Sequence, residues 1–328
     1  MKSWISAKNA LKHVLLLGIG EKTLLVVDKS KLREAMQFIK ACLALGSWVR
    51  TVKAEPKNLK FIREVIASSR PSIIVNLLKG DIEGVSFRIK LLKIESEFCG
   101  LKIAHCPGIT MDMLREGALA LTSDEYRLMQ NEALRLMFKL SGSDKIILQT
   151  PKGTHLEVSV KGRPFFTDTK FDPSIVKWIN LPVGEVIVGP REHEGSGVLV
   201  CDVAVGGIGP ISRTLTLHFK RGRIEEIEGD EEIVNRIRRA LSKDDMASRI
   251  GEFAIGLNPK ARVSSDFLEA EKVRGTAHIA VGHNKDFPGG MNNSKIHIDF
   301  LVSKPTVVAI KDGKENLVVE EGRIVEDS

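Results

Sequence analysis

Toward its C-terminus the chain carries His278 in the run Gly-Thr-Ala-His-Ile-Ala-Val-Gly and, nineteen residues later, His297-Ile-Asp299-Phe. In an extended strand residues two apart point to the same side, so His297 and Asp299 share one face while Ile296, Ile298 and Phe300 take the other. Imidazole nitrogen beside carboxylate oxygen is a ligand pair for a divalent ion such as zinc, cobalt, manganese or ferrous iron. His278, on a second strand-like segment, supplies a third donor. Two further carboxylates stand among apolar or small residues: Glu185 in Asn180-Leu-Pro-Val-Gly-Glu185-Val and Glu252 in Arg249-Ile-Gly-Glu252-Phe-Ala-Ile-Gly. Together Glu185, Glu252, His278, His297 and Asp299 offer enough donors for two ions sharing a bridging carboxylate or water.

The remaining polar residues have plainer readings. His13, His105, His155, His193 and His218 are isolated and read as surface or hydrogen-bonded core residues. Glu192 and Asp202 read as turn and strand-end residues, and Asp266, Glu269 and Glu271 as a solvated face or cap. Cys42, Cys99, Cys106 and Cys201 show no paired spacing, which argues against a zinc ribbon or a disulfide framework.

The elements that must position these donors fall into two textures. In the first half, strand-like runs at Thr23–Val27, Trp48–Ala54, Ile73–Leu77 and Lys102–His105 alternate with helix-period segments at Lys31–Leu45, Leu59–Ser69, Phe87–Phe98 and Ser123–Leu140. Such alternation implies parallel βαβ units and a doubly wound, flavodoxin-like α/β domain. Gly18-Ile-Gly20 precedes the first strand instead of following it, so it cannot form a dinucleotide-binding turn. From Lys145 onward come short β-type runs broken by glycine and one helical segment, Glu231–Leu241, which predict a largely antiparallel domain. The expected division is an α/β domain over residues 1–142 and a β-rich metal-binding domain over 143–328, ending in a hairpin turned at Asp312-Gly313 beneath the metal site.

At 328 residues and 43% hydrophobic, the chain can bury two cores. The net charge of +7 is uneven: residues 1–150 hold 24 Lys+Arg against 15 Asp+Glu, and residues 151–328 hold 25 against 27. Without an arginine-rich cluster interleaved with aromatics, the basic half reads as a solvated lysine surface and not as a nucleic-acid site. Only three glutamines occur among plentiful Lys, Arg and Glu, as in proteins of hot environments. The apolar run Val14–Leu17 is too short to span a bilayer, and the expected location is the cytoplasm.

Four segments in one order resemble the thermophilic metallo-aminopeptidase family, of the aminopeptidase T and leucyl aminopeptidase type. Asn180-Leu-Pro-Val-Gly-Glu185-Val is similar to its Asn-x-Pro-x-x-Glu-Val, Gly251-Glu252-Phe-Ala to its Gly-Glu-x-Ala, His278-Ile-Ala-Val-Gly to its His-Ile-Ala-Leu-Gly, and His297-Ile-Asp299-Phe to its His-x-Asp-Phe. Gly20 to Asp28 resembles the family's opening Gly-Glu-x-x-Leu-Ile-x-x-Asp. The resemblance implies Glu185, Glu252, His278, His297 and Asp299 as ligands of a co-catalytic pair of zinc, cobalt or manganese ions. It also implies release of N-terminal amino acids from peptides, Glu185 or Glu252 as ligand or general base, and a homodimer. The family's functional tyrosine, seven residues after the first histidine, is replaced by Lys285, and Tyr126 is the chain's only tyrosine. Lys285 is therefore the expected oxyanion stabiliser. A mononuclear iron(II) dioxygenase that opens dihydroxypyridine rings is similar to the same family. On that alternative His278, His297 and Asp299 hold one iron as a facial triad. A non-catalytic metal-binding relative is the third reading.

Overall fold

The computed structural model describes residues 1–80, 84–264 and 266–326. The chain divides into two compact units, residues 1–130 with 168–183 and residues 131–167 with 184–328. The expected single boundary near residue 142 gives way to an interleaved one. The division falls inside the Ser123–Leu140 helix, whose unbroken period carries no mark of it. Segment 168–183 returns to the first unit because Ile179–Asn180 pairs there as an edge strand.

In the first unit five parallel strands lie in the order Trp48–Lys53, Lys22–Val27, Ile73–Leu78, Lys102–Pro107, Ile179–Asn180. This is the doubly wound arrangement that alternating strands and helices predict. The central Ile73–Leu78 strand is buried throughout, as a parallel strand covered on both faces must be. Helix Leu32–Ala44 buries Ala35, Phe38, Ala41 and Cys42, the spacing of one helical face, and gives way to Gly46 at φ 70°. Helix Ser3–His13 buries Ala7, Ala10 and Leu11. Among the described residues no helix is long and apolar enough to cross a membrane.

The second unit holds two antiparallel sheets. One has eight strands and includes the terminal hairpin Thr306–Lys311 and Lys314–Glu320, turned at Asp312 and Gly313 with φ of 51° and 75°. The other has seven, in the order Gly209–Pro210, Ala204–Val205, His297–Ser303, Thr276–Gly282, Ile250–Gly256, Glu185–Val188, Phe166–Thr167. Its inner strands Ile250–Gly256 and Thr276–Gly282 are buried at every position. One face is apolar, with Phe253, Ile255, Ile279, Val281, Phe300 and Val302 fully or almost fully enclosed. Each such side chain contributes about 1.5–3 kcal/mol on burial. The other face carries the chemistry.

Candidate metal centre

Strand pairing alone brings the five donor residues to that one face. Glu252 pairs with Ala280, and Ala280 with Asp299, so the two carboxylates flank a methyl group across three strands. His278 lies two residues before Ala280 on the middle strand, His297 two before Asp299 on the next, and Glu185 is paired with Gly256 on the far side. The residues paired with these donors are small: Ala254 with His278, Gly256 with Glu185, Gly282 with His297, and Ala280 with both Glu252 and Asp299. A register shift at Gly251 inserts one residue ahead of Glu252. A Cβ at Gly251 would lie 2.7 Å from the Gly282 carbonyl oxygen, so this bulge requires glycine.

The contacts are close and mutual. His278 Nε2 lies 3.4 Å from Glu252, 3.8 Å from Asp299 and 3.9 Å from Glu185. His297 Nε2 lies 3.0 Å from Glu252 and 3.2 Å from Asp299. Ligands on one ion at bond lengths of about 2.0–2.2 Å stand roughly 3.0–3.5 Å apart, so most of these separations fit a divalent cation among the donors. The residues fall into two triads that share Glu252: Glu185, Glu252 and His278, and Glu252, His297 and Asp299. His297 Nδ1 donates to the His283 carbonyl oxygen at 2.7 Å. A carbonyl can only accept, so Nδ1 carries a proton, and that bond turns Nε2 toward Glu252 and Asp299. His278 Nδ1 is buried and has no hydrogen-bond partner among the described residues. The side chain of His297 is 32% exposed and those of Glu185, Glu252, His278 and Asp299 under 10%, so His297 marks the open side.

Electrostatics follow from the pairing. Burial works against a charged His278, but the hydrogen bond and charge of Glu252, with Glu185 and Asp299, outweigh it and push its pKa up to about 9. His297 is likewise raised well above its ordinary value, desolvation being outweighed by Asp299 and Glu252. Burial would raise Glu252; hydrogen bonds from His278 and His297 hold it instead far below the usual carboxylate range. Protons on the imidazoles thus stand where a cation would otherwise compensate the carboxylates.

Three features escape the sequence reading. Lys272 is buried, and its ammonium contacts Glu185 Oε1 and lies 2.8 Å from Glu271 Oε1. Glu269 and Glu271, expected on a solvated face, are 2% and 9% exposed; only Asp266 caps, accepting from Leu268 N. Glu192, expected in a turn, is buried and accepts from Asn284 Nδ2 at 3.0 Å, Met291 N at 2.9 Å and Arg163 at 2.7 Å. It therefore ties down the loop that presents the His283 carbonyl. A run of charged residues carries no mark of burial unless its partners are known, and here the partners lie up to ninety-nine residues away. The same loop places Phe287 edge-on to His297 at 6.3 Å and to Phe166 at 5.4 Å. Lys285 is exposed on it and makes no hydrogen bond or ion pair among the described residues, so the structure does not bring it to the five donors. Tyr126 is fully buried in the first unit, stacked on His13.

A mixed α/β scaffold with five acid and imidazole donors converging on one sheet face has the donor set of a metal-dependent enzyme. Residues 125–324, well over half of the chain, match the family described as thermophilic metalloprotease (M29), and the chain belongs to that family. Its structure is similar to a 2,5-dihydroxypyridine dioxygenase from Pseudomonas putida, at 17% identity and TM-score 0.73 over 98% of this chain and 97% of that one. It is also similar to AmpT from Thermus thermophilus, at 18% identity and TM-score 0.71 over 99% of both chains. At such identities both show a shared fold. No curated protein sequence matches.

Proposed function

We propose that the protein is an aminopeptidase that uses a divalent metal to cleave the first peptide bond of small peptides. The observation that carries this is the convergence of Glu185, Glu252, His278, His297 and Asp299 at 3.0–3.9 Å on one face of a buried sheet. A bound divalent ion would supply Lewis acidity, acidifying a water and polarising a carbonyl. The chain's own residues do the rest. Glu252 faces both imidazoles and fixes them. Glu185 has one oxygen on Lys272 and the other 3.9 Å from His278, and is the glutamate placed to pass a proton to a leaving amine. The excess of buried carboxylates suits a substrate with a free α-ammonium, and Phe287 beside His297 offers an apolar wall for its side chain. Small peptides as substrates, a homodimeric assembly and a cytoplasmic location belong to the same proposal.

A second reading rests on Lys272. With Glu185 engaged by that ammonium, His278, His297 and Asp299 form a two-histidine, one-carboxylate set, the ligand type of non-haem iron oxygenases. The fold likeness to the dihydroxypyridine dioxygenase agrees with it. Protein stripped by chelator and reloaded with zinc, cobalt, manganese or iron(II) separates the two. The aminopeptidase requires hydrolysis of amino-acyl amides to return with at least one ion. No amide hydrolysis with any ion, together with oxygen consumption on iron and 2,5-dihydroxypyridine, would establish the second.

A further inference from the structure

We infer that Lys272 is a built-in cation of this centre: its ammonium takes the place beside Glu185 and Glu271 that a second divalent ion would need, so each chain holds one divalent ion and not two. The inference rests on the proposed reading of the cluster as a metal centre and fixes its stoichiometry.

The two triads sharing Glu252 are not equivalent. Around Glu252, His297 and Asp299 the recorded separations are 3.0 and 3.2 Å, and His278 joins that ring through Glu252 at 3.4 Å and Asp299 at 3.8 Å. Glu185 approaches His278 at 3.9 Å, the longest of these separations. Lys272 enters the first triad at this loosest corner, with Nζ on Glu185 Oε1 and 2.8 Å from Glu271 Oε1. An ammonium is a point charge with three donors and no lone pair, so it competes with a metal for a carboxylate and cannot itself be a ligand. A co-catalytic pair needs its ions about 3.5–4 Å apart, which would set the second ion against this ammonium.

Lys272 is not a long side chain that has strayed inward. It is 1% exposed, and its backbone is held where it is. The Phe267–Ala270 helix ends just before it, Asn258 N donates to the Lys272 carbonyl at 2.8 Å, and Val273 bridges to Asn258 alongside. Its side chain thus starts from the edge of the inner strand Ile250–Gly256 and reaches Glu185, whose own carbonyl is anchored by Thr167 Oγ1 at 2.7 Å. A buried ammonium persists only when paired, and two buried carboxylates pair it.

The test is metal content of the full chain by elemental analysis after dialysis against saturating manganese or zinc, with Mn(II) electron paramagnetic resonance on the same samples. Wild type and Lys272→Arg should each retain one ion per chain and give the spectrum of isolated Mn(II). Lys272→Gln should rise to two ions, with spin coupling between them. Two ions in wild type, or one in a folded Lys272→Gln, overturns the inference while leaving a metal centre in place. No ion in wild type overturns the metal reading itself. Should Lys272→Gln fail to fold, Glu185→Gln decides: one ion retained agrees with Glu185 serving the ammonium, and loss of the ion overturns it.

Discussion

Both units bury carboxylates and imidazoles, and they do opposite things with them. In the first unit Glu95, at the end of the helix Val85–Glu95, is fully buried; its carboxylate accepts from Asn76 Nδ2 at 2.8 Å, and burial pushes its pKa up to about 8. His105, paired in register with Asn76, is driven down to about 3 by burial, with Arg88 adding to it. Each is thereby neutral near pH 7. In the antiparallel sheet His278 and Glu252 are as deeply buried, yet both are held in their charged forms because each faces the other. Burial alone removes charge; burial in a ring of opposite charges keeps it, and only the second arrangement is ready to exchange protons for a metal ion.

The strongest way to break this contrast is to delete one histidine from each region. His297→Ala should abolish metal retention on dialysis and with it activity, a loss well beyond the roughly 10–100-fold that an outer partner of a metal ligand is worth. His105→Ala should leave metal content unchanged and cost about 2–4 kcal/mol in denaturant unfolding as a core cavity. Equal metal loss in both variants would show that the two imidazole environments do not differ in kind.

Next in size is Glu192→Ala. It strands Arg163, whose side chain is 9% exposed, and releases Asn284 and Met291 N together. Breaking such a pair costs about 3–5 kcal/mol. Because the loop presents the carbonyl that orients His297, metal affinity should weaken as well, by about 10-fold or more. Unchanged affinity in isothermal titration would detach the loop from the centre.

This residue also shows what the sequence could and could not disclose. Strands and helices were legible because burial repeats with their period: Leu59–Ser69 and Glu231–Leu241 fall where the spacing predicts them. The shared face of His297 and Asp299 was legible because residues two apart on a strand point the same way, whereas Glu185, Glu252 and His278 were singled out by the motifs that resemble the family's. Glu192, Glu271 and Lys272 were not. Their burial depends on partners brought close by tertiary folding, and a charged residue read alone is most economically placed in water. The return of Ile179–Asn180 to the first unit was hidden for a related reason, since a two-residue strand has no period to detect.

A smaller effect separates the regions by pH. Glu95 has a folded pKa of about 8 against an ordinary 4.5, so the stability it allows is complete below pH 4.5 and is lost as pH rises toward 8. Glu95→Gln should therefore melt higher than wild type at pH 8 and above, with the advantage gone at pH 4. His278, raised from 6.5 to about 9, loses its contribution to the metal-free fold between those values. Adding metal replaces that proton, so metal binding should tighten with pH up to about 9, by roughly tenfold per unit for each proton displaced. Calorimetry in buffers of different ionisation enthalpy counts the protons; none released at pH 7 would mean the imidazoles are already neutral in the metal-free protein.

The smallest effect is expected at Lys285, the residue standing where the family's tyrosine would be. Its neighbours on the loop are committed: His283 to Asp286 at 3.1 Å, Asn284 to Glu192, Phe287 to the aromatic wall. Lys285 itself is exposed, and an exposed ammonium in water stabilises a developing oxyanion far less than a donor fixed in a dry site, where one such group is worth about a hundredfold to a thousandfold in turnover. Lys285→Ala should accordingly change kcat/KM by less than about threefold, well below that value for a working oxyanion donor. A loss of a hundredfold in kcat at unchanged metal content would mean that substrate draws the loop inward and that Lys285 completes the site only then.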